Sequence, residues 1–192
     1  SPVNTSARMP PTNASGSVTL TMTSNDNGNT GTGGALQDID TRTITITPVN
    51  DAPVVGVAIP DQSVNEDAAW SYQVPAGSFT DVDGPSLTYS IAGGADASKV
   101  TINASTGVLS FVTAPDYEAP TDAGGNNVYD VIVQASDGTL TDDQAIAVTV
   151  TDVNDLAPVI TSDGGGASAS LNVAENGTAV TTVTATDVDG PS

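Results

Sequence analysis

An internal repeat constrains this chain of 192 residues more than any other feature of its sequence. The heptapeptide TDVDGPS begins at Thr80 and begins again at Thr186, 106 residues later. The tripeptide Val-Asn-Asp begins at Val49 and again at Val153, 104 residues later. Markers that recur at a constant spacing indicate one structural unit copied along the chain. The unit is a little over 100 residues long, which is the size of one ordinary domain.

A looser marker fits the same repeat, because Glu66 and Glu175 lie 109 residues apart. The markers together predict a half, whole, half organisation. We expect residues 1–51 to be the C-terminal half of a preceding repeat and residues 52–155 to be one complete repeat. Residues 156–192 would be the N-terminal part of a following repeat.

Short runs of alternating apolar and polar residues predict β-strands along the whole chain, since alternate side chains of a strand point to opposite faces of a sheet. Glycine and proline, 19 and 12 residues, separate the runs, and no window shows a convincing helical period. The runs start near Val18, Ile44, Trp70, Leu87, Val108, Tyr129 and Ile146. The sequence therefore predicts an all-β protein of tandem immunoglobulin-like β-sandwich repeats.

The charge of the chain is strongly one-sided, with 3 basic and 23 acidic residues and a net charge of −20. Such a surface repels phosphate backbones and anionic lipids, so we expect no nucleic-acid partner and no membrane-surface binding. There is no cysteine or histidine, which excludes disulfides, zinc sites of thiolate or imidazole, and Cys–His or Ser–His catalysis. No apolar run approaches 18 residues, so no membrane span is predicted.

Acidic residues of the complete repeat concentrate at the predicted strand ends and turns. Strand ends of a sandwich lie at its two poles, so these side chains can converge in space. Oxygen ligands without histidine or cysteine suit calcium, which takes six to eight oxygens. Carboxylates held that close without a cation would repel one another and their pKa values would rise. The residues are Glu66, Asp81, Asp83, Asp116, Glu118, Asp137, Asp152 and Asp155.

Five short motifs in a consistent order resemble those of cadherin repeats. They are Glu66 near the first strands, the D-x-D of Asp81-Val82-Asp83, the acidic triplet Asp116-Tyr117-Glu118, the A-x-D of Ala135-Ser136-Asp137, and the linker Asp152-Val153-Asn154-Asp155. The chain thus resembles the cadherin-like tandem repeats of large bacterial extracellular adhesins and of surface or matrix proteins. The resemblance covers residues 52–155 and parts of both flanks.

The resemblance implies calcium at each junction between repeats. At the second junction it implies the ligands Glu66, Asp116, Glu118, Asp152, Asn154, Asp155, Asp187 and Asp189. At the first junction it implies Asn50, Asp51, Asp81, Asp83 and Asp137.

This sequence departs from the family pattern at both junctions. Pro48 stands where the first linker should begin with aspartate, so we expect fewer ions or weaker binding there. Leu156 replaces the final linker asparagine, and the third repeat stops before its A-x-D aspartate. The second site would then lack one ligand unless another chain provides it.

The resemblance implies a structural role outside the cell. We expect a calcium-stabilised repeat of a rigid extracellular rod or fibre at the cell surface of a bacterium, serving homophilic or matrix-type adhesion. Its partners would be neighbouring repeats of the same chain or other copies of itself. Residues 1–51 and 156–192 of successive molecules could complete a shared sandwich and form a head-to-tail fibre, or both could be truncated parts of a longer chain.

Three other interpretations compete with this one. The chain could be a carbohydrate-binding accessory module of a secreted polysaccharide-degrading or biofilm protein, which an exposed Trp70 or Tyr117 would favour. It could be a two-carboxylate glycosidase, but the side chains that line such clefts are nearly absent, so we predict no enzyme. The acidic residues could also serve only for solubility.

Overall fold

The structure is a computed structural model that describes residues 11–26, 32–84, 86–178 and 181–189. Parts of the predicted half-repeats, among them residues 1–10 and 190–192, therefore lie outside the described residues, as does Pro85. Within the described ranges the chain forms strands, one short 3-10 turn at Ser162–Gly164 and no α-helix. The strands are β1 Gly16–Asn25, β2 Gln37–Ile46, β3 Val54–Val55, β4 Gln62–Asn65, β5 Ser71–Gln73, β6 Phe79–Thr80, β7 Thr88–Gly93, β8 Val100–Ile102, β9 Val108–Phe111, β10 Val128–Ser136, β11 Thr141–Thr151, β12 Val159–Ile160 and β13 Ala185–Thr186.

A β-sandwich forms the centre of the chain. One sheet has the strand order β4-β11-β10-β7, in which β4 runs parallel to β11 and the other pairs are antiparallel. The sheet β5-β9-β8 and the pair β3-β6 supply the remaining strands. Alternate residues of β10 are buried, as the predicted period of two requires. The core contains Ile59, Val74, Phe79, Val100, Leu109, Val131, Val133, Ala135 and Ile146.

The flanking strands form the same pairs as the central repeat, and no opposing sheet covers them among the residues that the structure describes. Strands β1 and β2 form a hairpin in which Val18 faces Ile44, and Tyr129 faces Val148 at the equivalent point of β10 and β11. Val18 and Ile44 are 58% and 52% exposed, whereas Tyr129 and Val148 are fully buried. Strands β12 and β13 likewise repeat the pairing of β3 with β6.

The prediction of an all-β, immunoglobulin-like sandwich is confirmed, and each of the seven alternating runs overlaps a strand. Six shorter strands, β3, β4, β6, β8, β12 and β13, were not predicted, and four of them (β3, β6, β12 and β13) have two residues each, too few to show a period. The boundaries of the three proposed units at 51/52 and 155/156 stay a prediction.

Two buried aspartates hold loops of the sandwich. The Oδ1 and Oδ2 of Asp96 accept the backbone N–H groups of Ala123 and Asp130 at 2.7 and 2.9 Å. Burial alone would raise the pKa of Asp122, but backbone N–H groups, including those of Asn126 and Asn127, lower it below its ordinary value. These acids therefore have a structural role apart from the strand-end cluster.

We predict that replacing Gly94 by alanine destabilises the sandwich more than the same change at Gly138. Both glycines have positive φ, 104° and 99°, where a side chain costs about 1–3 kcal/mol. A Cβ at position 94 would lie 2.3 Å from the carbonyl oxygen of Asp130, whereas one at 138 meets no heavy atom within 4 Å. Overpacking adds about 1–3 kcal/mol for Gly94→Ala. Equal losses in the free energy of unfolding, measured in urea for the two variants, would contradict this packing.

Candidate metal centre

Glu66 is the acidic residue around which the second junction is built. It directly follows β4 and is only 3% exposed. Its Oε2 accepts the N–H of Tyr117 at 2.6 Å, and its Oε1 accepts the N–H of Val153 at 2.8 Å. One buried carboxylate thus joins the end of β4 to the acidic triplet and to the linker.

A first group of carboxylates surrounds Glu66. Oxygens of Glu66, Asp116 and Glu118 lie within 4.8 Å of one another. The Oδ1 of Asp116 accepts the N–H of Ala119 at 2.9 Å, which fixes the turn that carries the triplet. The two acidic residues of the triplet therefore reach the same centre as the glutamate 50 positions earlier.

A second group shares Glu118 with the first. Oxygens of Glu118, Asp152 and Asp189 also lie within 4.8 Å of one another. The Oδ2 of Asp189 accepts the N–H groups of Asp155, at 2.8 Å, and of Leu156. The central repeat, the linker and the segment after β13 therefore all contribute to one centre.

Two aspartate oxygens in the segment that follows β13 are buried and have no hydrogen-bond donor among the described residues. They are the Oδ1 atoms of Asp187 and Asp189. A buried acceptor without a partner costs free energy unless another ligand satisfies it. Both atoms belong to residues that the sequence predicted as ligands.

Crowding of like charges changes the proton affinity of the centre. Burial, together with the nearby carboxylates of Glu66 and Asp189, raises the pKa of Glu118 from 4.5 to about 7 although a backbone hydrogen bond opposes the shift. Burial also raises the pKa of Asp155, with further contributions from the carboxylates of Asp67, Glu66 and Asp189. The carboxylates repel one another because no basic side chain compensates them.

The residues present fit a hard divalent cation. Two overlapping oxygen groups with a shared glutamate, two unsatisfied buried oxygens and no nitrogen or sulfur ligand match the preference of calcium for six to eight oxygens. A bound cation would also remove the repulsion that raises the pKa of Glu118.

The remaining predicted ligands of the second junction lie at its edge. Asp155 and Asn154 are exposed, and neither belongs to a three-carboxylate group among the residues that the structure describes. The carboxyl of Asp155 contacts that of Asp67. Asp67 was not predicted as a site residue. Its position directly after Glu66 was the only signal, and its φ is positive, at 53°.

The first junction is arranged differently. Asp137 accepts the Nδ2 of Asn50 at 2.7 Å and the N–H groups of Thr139 and Leu140 at 2.6 and 2.7 Å. These hydrogen bonds lower the pKa of Asp137, that of Leu140 most strongly and then that of Asn50. The carboxylate of Asp137 is thus already engaged within the protein.

The other three predicted residues of the first junction form a hydrogen-bonded chain. The N–H of Asp51 donates to Asp83 Oδ2, and the N–H of Asp83 donates to Asp81 Oδ1 at 2.8 Å. In the described part of the chain, the acids of this junction form no three-carboxylate group of the kind found at the second.

The aromatic residues named as possible sugar platforms pack onto the sandwich. Trp70 is half-buried, stacks on Tyr72 at 6.3 Å and tilts against Phe111 at 5.3 Å. Tyr117 is half-buried and packs against the cluster of Val64, Tyr129, Val148 and Val150.

Residues 52–151, just over half of the chain, match the family model described as Putative Ig domain. The chain belongs to this family.

Cadherins are among the known proteins that are similar to this chain. Human protocadherin Fat 1 is 34% identical over 112 residues, which are 55% of this chain and 2% of that protein. The chain thus spans a very small part of the curated relative that it matches.

Three solved structures share the fold over most of the chain. Protocadherin gammaB7 EC3-6 is 24% identical with a TM-score of 0.61, covering 91% of this chain and 44% of that one. Mouse cadherin-23 EC22-24 is 24% identical with a TM-score of 0.60, covering 90% and 54%. The extracellular cadherin domains 3-6 of protocadherin gamma B2 are 26% identical with a TM-score of 0.59, covering 91% and 44%. The cadherin-like immunoglobulin fold expected from the motifs is therefore confirmed.

Among the described residues, no helix has the length and apolar character needed to cross a membrane.

We predict that the metal-free protein loses stability as the pH rises from about 5 to 7.5. The folded pKa of Glu118, about 7, lies above its ordinary value of 4.5, so the folded chain holds this proton more tightly than the unfolded chain. The resulting stability is complete below pH 4.5 and is lost as the pH passes through about 7. Glu118→Gln should flatten the curve of melting temperature against pH in chelator.

The matched control is Glu175→Gln, because Glu175 is exposed and belongs to neither carboxylate group. It should keep the pH dependence of the unchanged protein. If Glu118→Gln shows the same slope as this control between pH 5 and 7.5, Glu118 is not the titrating group.

Proposed function

We propose that this chain is a calcium-stabilised structural repeat, in which calcium at the second junction ties residues 52–155 to residues 156–192. The metal ligands would be Glu66, Asp116, Glu118, Asp152, Asn154, Asp155, Asp187 and Asp189, with Asp67 beside them. The observation that carries this proposal is the sharing of Glu118 by two carboxylate groups that draw on the repeat, the linker and the following segment.

Calcium would act here as a crosslink between segments. Glu66 and Glu118 come from the central repeat, Asp152 from the linker and Asp189 from the segment beyond it. An ion bound to all of them restricts the angle between neighbouring units, because any rotation lengthens several ligand bonds at once. Binding also contributes to folding, since the ion binds the folded junction better than the unfolded chain.

The first junction would bind fewer ions or bind them more weakly. Its proposed ligands, Asn50, Asp51, Asp81, Asp83 and Asp137, satisfy one another or backbone groups through hydrogen bonds. Pro48 also takes the place of an acidic ligand.

The role that fits such junctions is mechanical and extracellular. The relatives are cadherins, and one is described as extracellular cadherin domains. We infer that this chain belongs to a rod or fibre of the cell surface, of the type found in large bacterial adhesins, and serves adhesion and not catalysis. Its partners would be neighbouring repeats of the same chain or further copies.

The carbohydrate-binding alternative has no comparable support. Trp70 and Tyr117 are half-buried and pack against other side chains, whereas sugar binding by stacking needs an exposed aromatic face.

We predict that calcium raises the melting temperature by several degrees and that chelator removes this shift. Saturation at 100 times the dissociation constant contributes about 2.7 kcal/mol for one site. Magnesium should raise the melting temperature much less, because it demands octahedral geometry and releases its bound water reluctantly. Glu118→Gln should abolish most of the shift, since it removes the ligand common to both groups.

Asp143→Asn is the matched control for lost charge, because Asp143 is exposed in β11 and outside both groups. It should keep the full calcium response in the same thermal melts. A melt that ignores chelator, or equal calcium shifts in the two variants, would overturn the proposed junction site.

A further inference from the structure

The acidic triplet Asp116-Tyr117-Glu118 is held by the backbone of its middle residue. The N–H of Tyr117 donates to the Oε2 of Glu66 at 2.6 Å, and its carbonyl oxygen accepts a hydrogen bond from the Nδ2 of Asn127 at 2.9 Å. Glu66 and Asn127 are both buried, at 3% and 8% exposure. Both polar backbone groups of Tyr117 are therefore fixed, and the residues on either side of it carry carboxylates of the candidate metal centre.

Asn127 is itself attached to the large sheet. It lies directly before β10, its N–H donates to the Oδ1 of Asp122 at 3.0 Å, and its carbonyl oxygen accepts the N–H of Val150 in β11 at 2.8 Å. Its φ is positive, at 61°, a backbone conformation that asparagine tolerates better than most residues. The side chain that holds Tyr117 is thus carried by a backbone that is bonded to the sandwich on both sides.

The side chain of Asn127 forms no other hydrogen bond among the described residues. Its Oδ1 is buried and has no donor there, and Asn127 belongs to neither apolar cluster of the core. A buried amide costs free energy unless its hydrogen bonds compensate for the lost water. The bond from Nδ2 to Tyr117 is therefore the contact that explains an asparagine at this position.

We propose that Asn127 is a positioning residue of the calcium junction, because it fixes the backbone of Tyr117 and thereby directs Asp116 and Glu118 toward Glu66. A shift of this backbone would move both flanking carboxylates at once. Asn127 is not among the proposed ligands, and none of the five sequence motifs includes it. The inference rests on the proposed calcium site and adds a residue on which the affinity of that site depends.

Calcium titration of Asn127→Gly tests this role. Glycine adopts a positive φ without strain, so the change removes the Nδ2 donor and keeps the backbone conformation. Isothermal titration with calcium chloride, on protein shown to be folded by circular dichroism, should give a dissociation constant at least tenfold higher than that of the unchanged protein.

Asn103→Gly is the matched control, because it removes the same side chain elsewhere in the repeat. The Oδ1 of Asn103 accepts the N–H groups of Ser105 and Thr106 at 3.0 Å each, in the turn between β8 and β9. Asn103 lies outside both carboxylate groups. This variant should keep the dissociation constant of the unchanged protein within twofold.

Amide hydrogen exchange in chelator tests the positioning without any metal. The N–H groups of Tyr117 and Val153 both donate to Glu66, but only that of Tyr117 belongs to the triplet. Asn127→Gly should speed exchange at Tyr117 at least tenfold and leave Val153 unchanged, whereas a general loss of stability would speed both. If Asn127→Gly does not fold, Asn127→Asp takes its place in this measurement, since aspartate has the same shape, tolerates a positive φ and lacks the donor when ionised.

The results separate this inference from the calcium site itself. Equal dissociation constants for Asn127→Gly and Asn103→Gly, or equal acceleration of the two amides, would overturn the role of Asn127. If the unchanged protein binds no calcium, the calcium site is wrong, and the exchange rates still decide whether Asn127 holds the triplet.

Discussion

The second junction depends on acidic side chains being held against one another in a chain with only three basic residues. Backbone N–H groups make this possible. Glu66 accepts two of them from separate segments, and Asp189 accepts two from the linker. These bonds fix the positions of the carboxylates, but burial and the remaining mutual repulsion still raise the pKa of Glu118. The protein thus holds oxygen ligands in place and leaves a net negative charge on them. Under this condition the binding of a divalent cation is most favourable.

The topology of the sandwich explains why residues far apart in sequence meet at this centre. Strand β4 runs parallel to β11, and their last pair joins Asn65 to Thr151. The next residues, Glu66 and Asp152, must then leave the sheet at the same pole, and the N–H of Glu66 still bonds to the carbonyl of Thr151. A parallel edge strand is therefore more than a stabilising element here, because its register sets which acidic residues of the repeat and of the linker come together.

The sequence predicted the strand-rich fold and most of the second junction for different reasons. Long strands such as β10 and β11 show the period of two over nine and eleven residues, whereas β3 and β6 have two residues each and show none. Asp116 and Glu118 were found because their motif has a fixed order relative to Glu66 and the linker. Asp67 was missed, since none of the five motifs includes its position, although its side chain bonds to that of Asp155. The engagement of Asp137 by Asn50 was equally hidden, because both residues fit the ligand pattern of the family.

The two junctions share one hydrogen bond of the linker and differ in the arrangement of their carboxylates. In both, a linker N–H donates to the second aspartate of the D-x-D motif, Asp51 to Asp83 and Asp155 to Asp189. This bond orients the linker against the following repeat whether or not an ion is present. The carboxylates of the second junction come in addition to this bond, and among the described residues only they form three-carboxylate groups. At the first junction an amide, Asn50, meets the remaining carboxylate instead. The two junctions therefore differ, in the described part of the chain, in a few acidic residues at the poles of the sandwich and not in the fold itself.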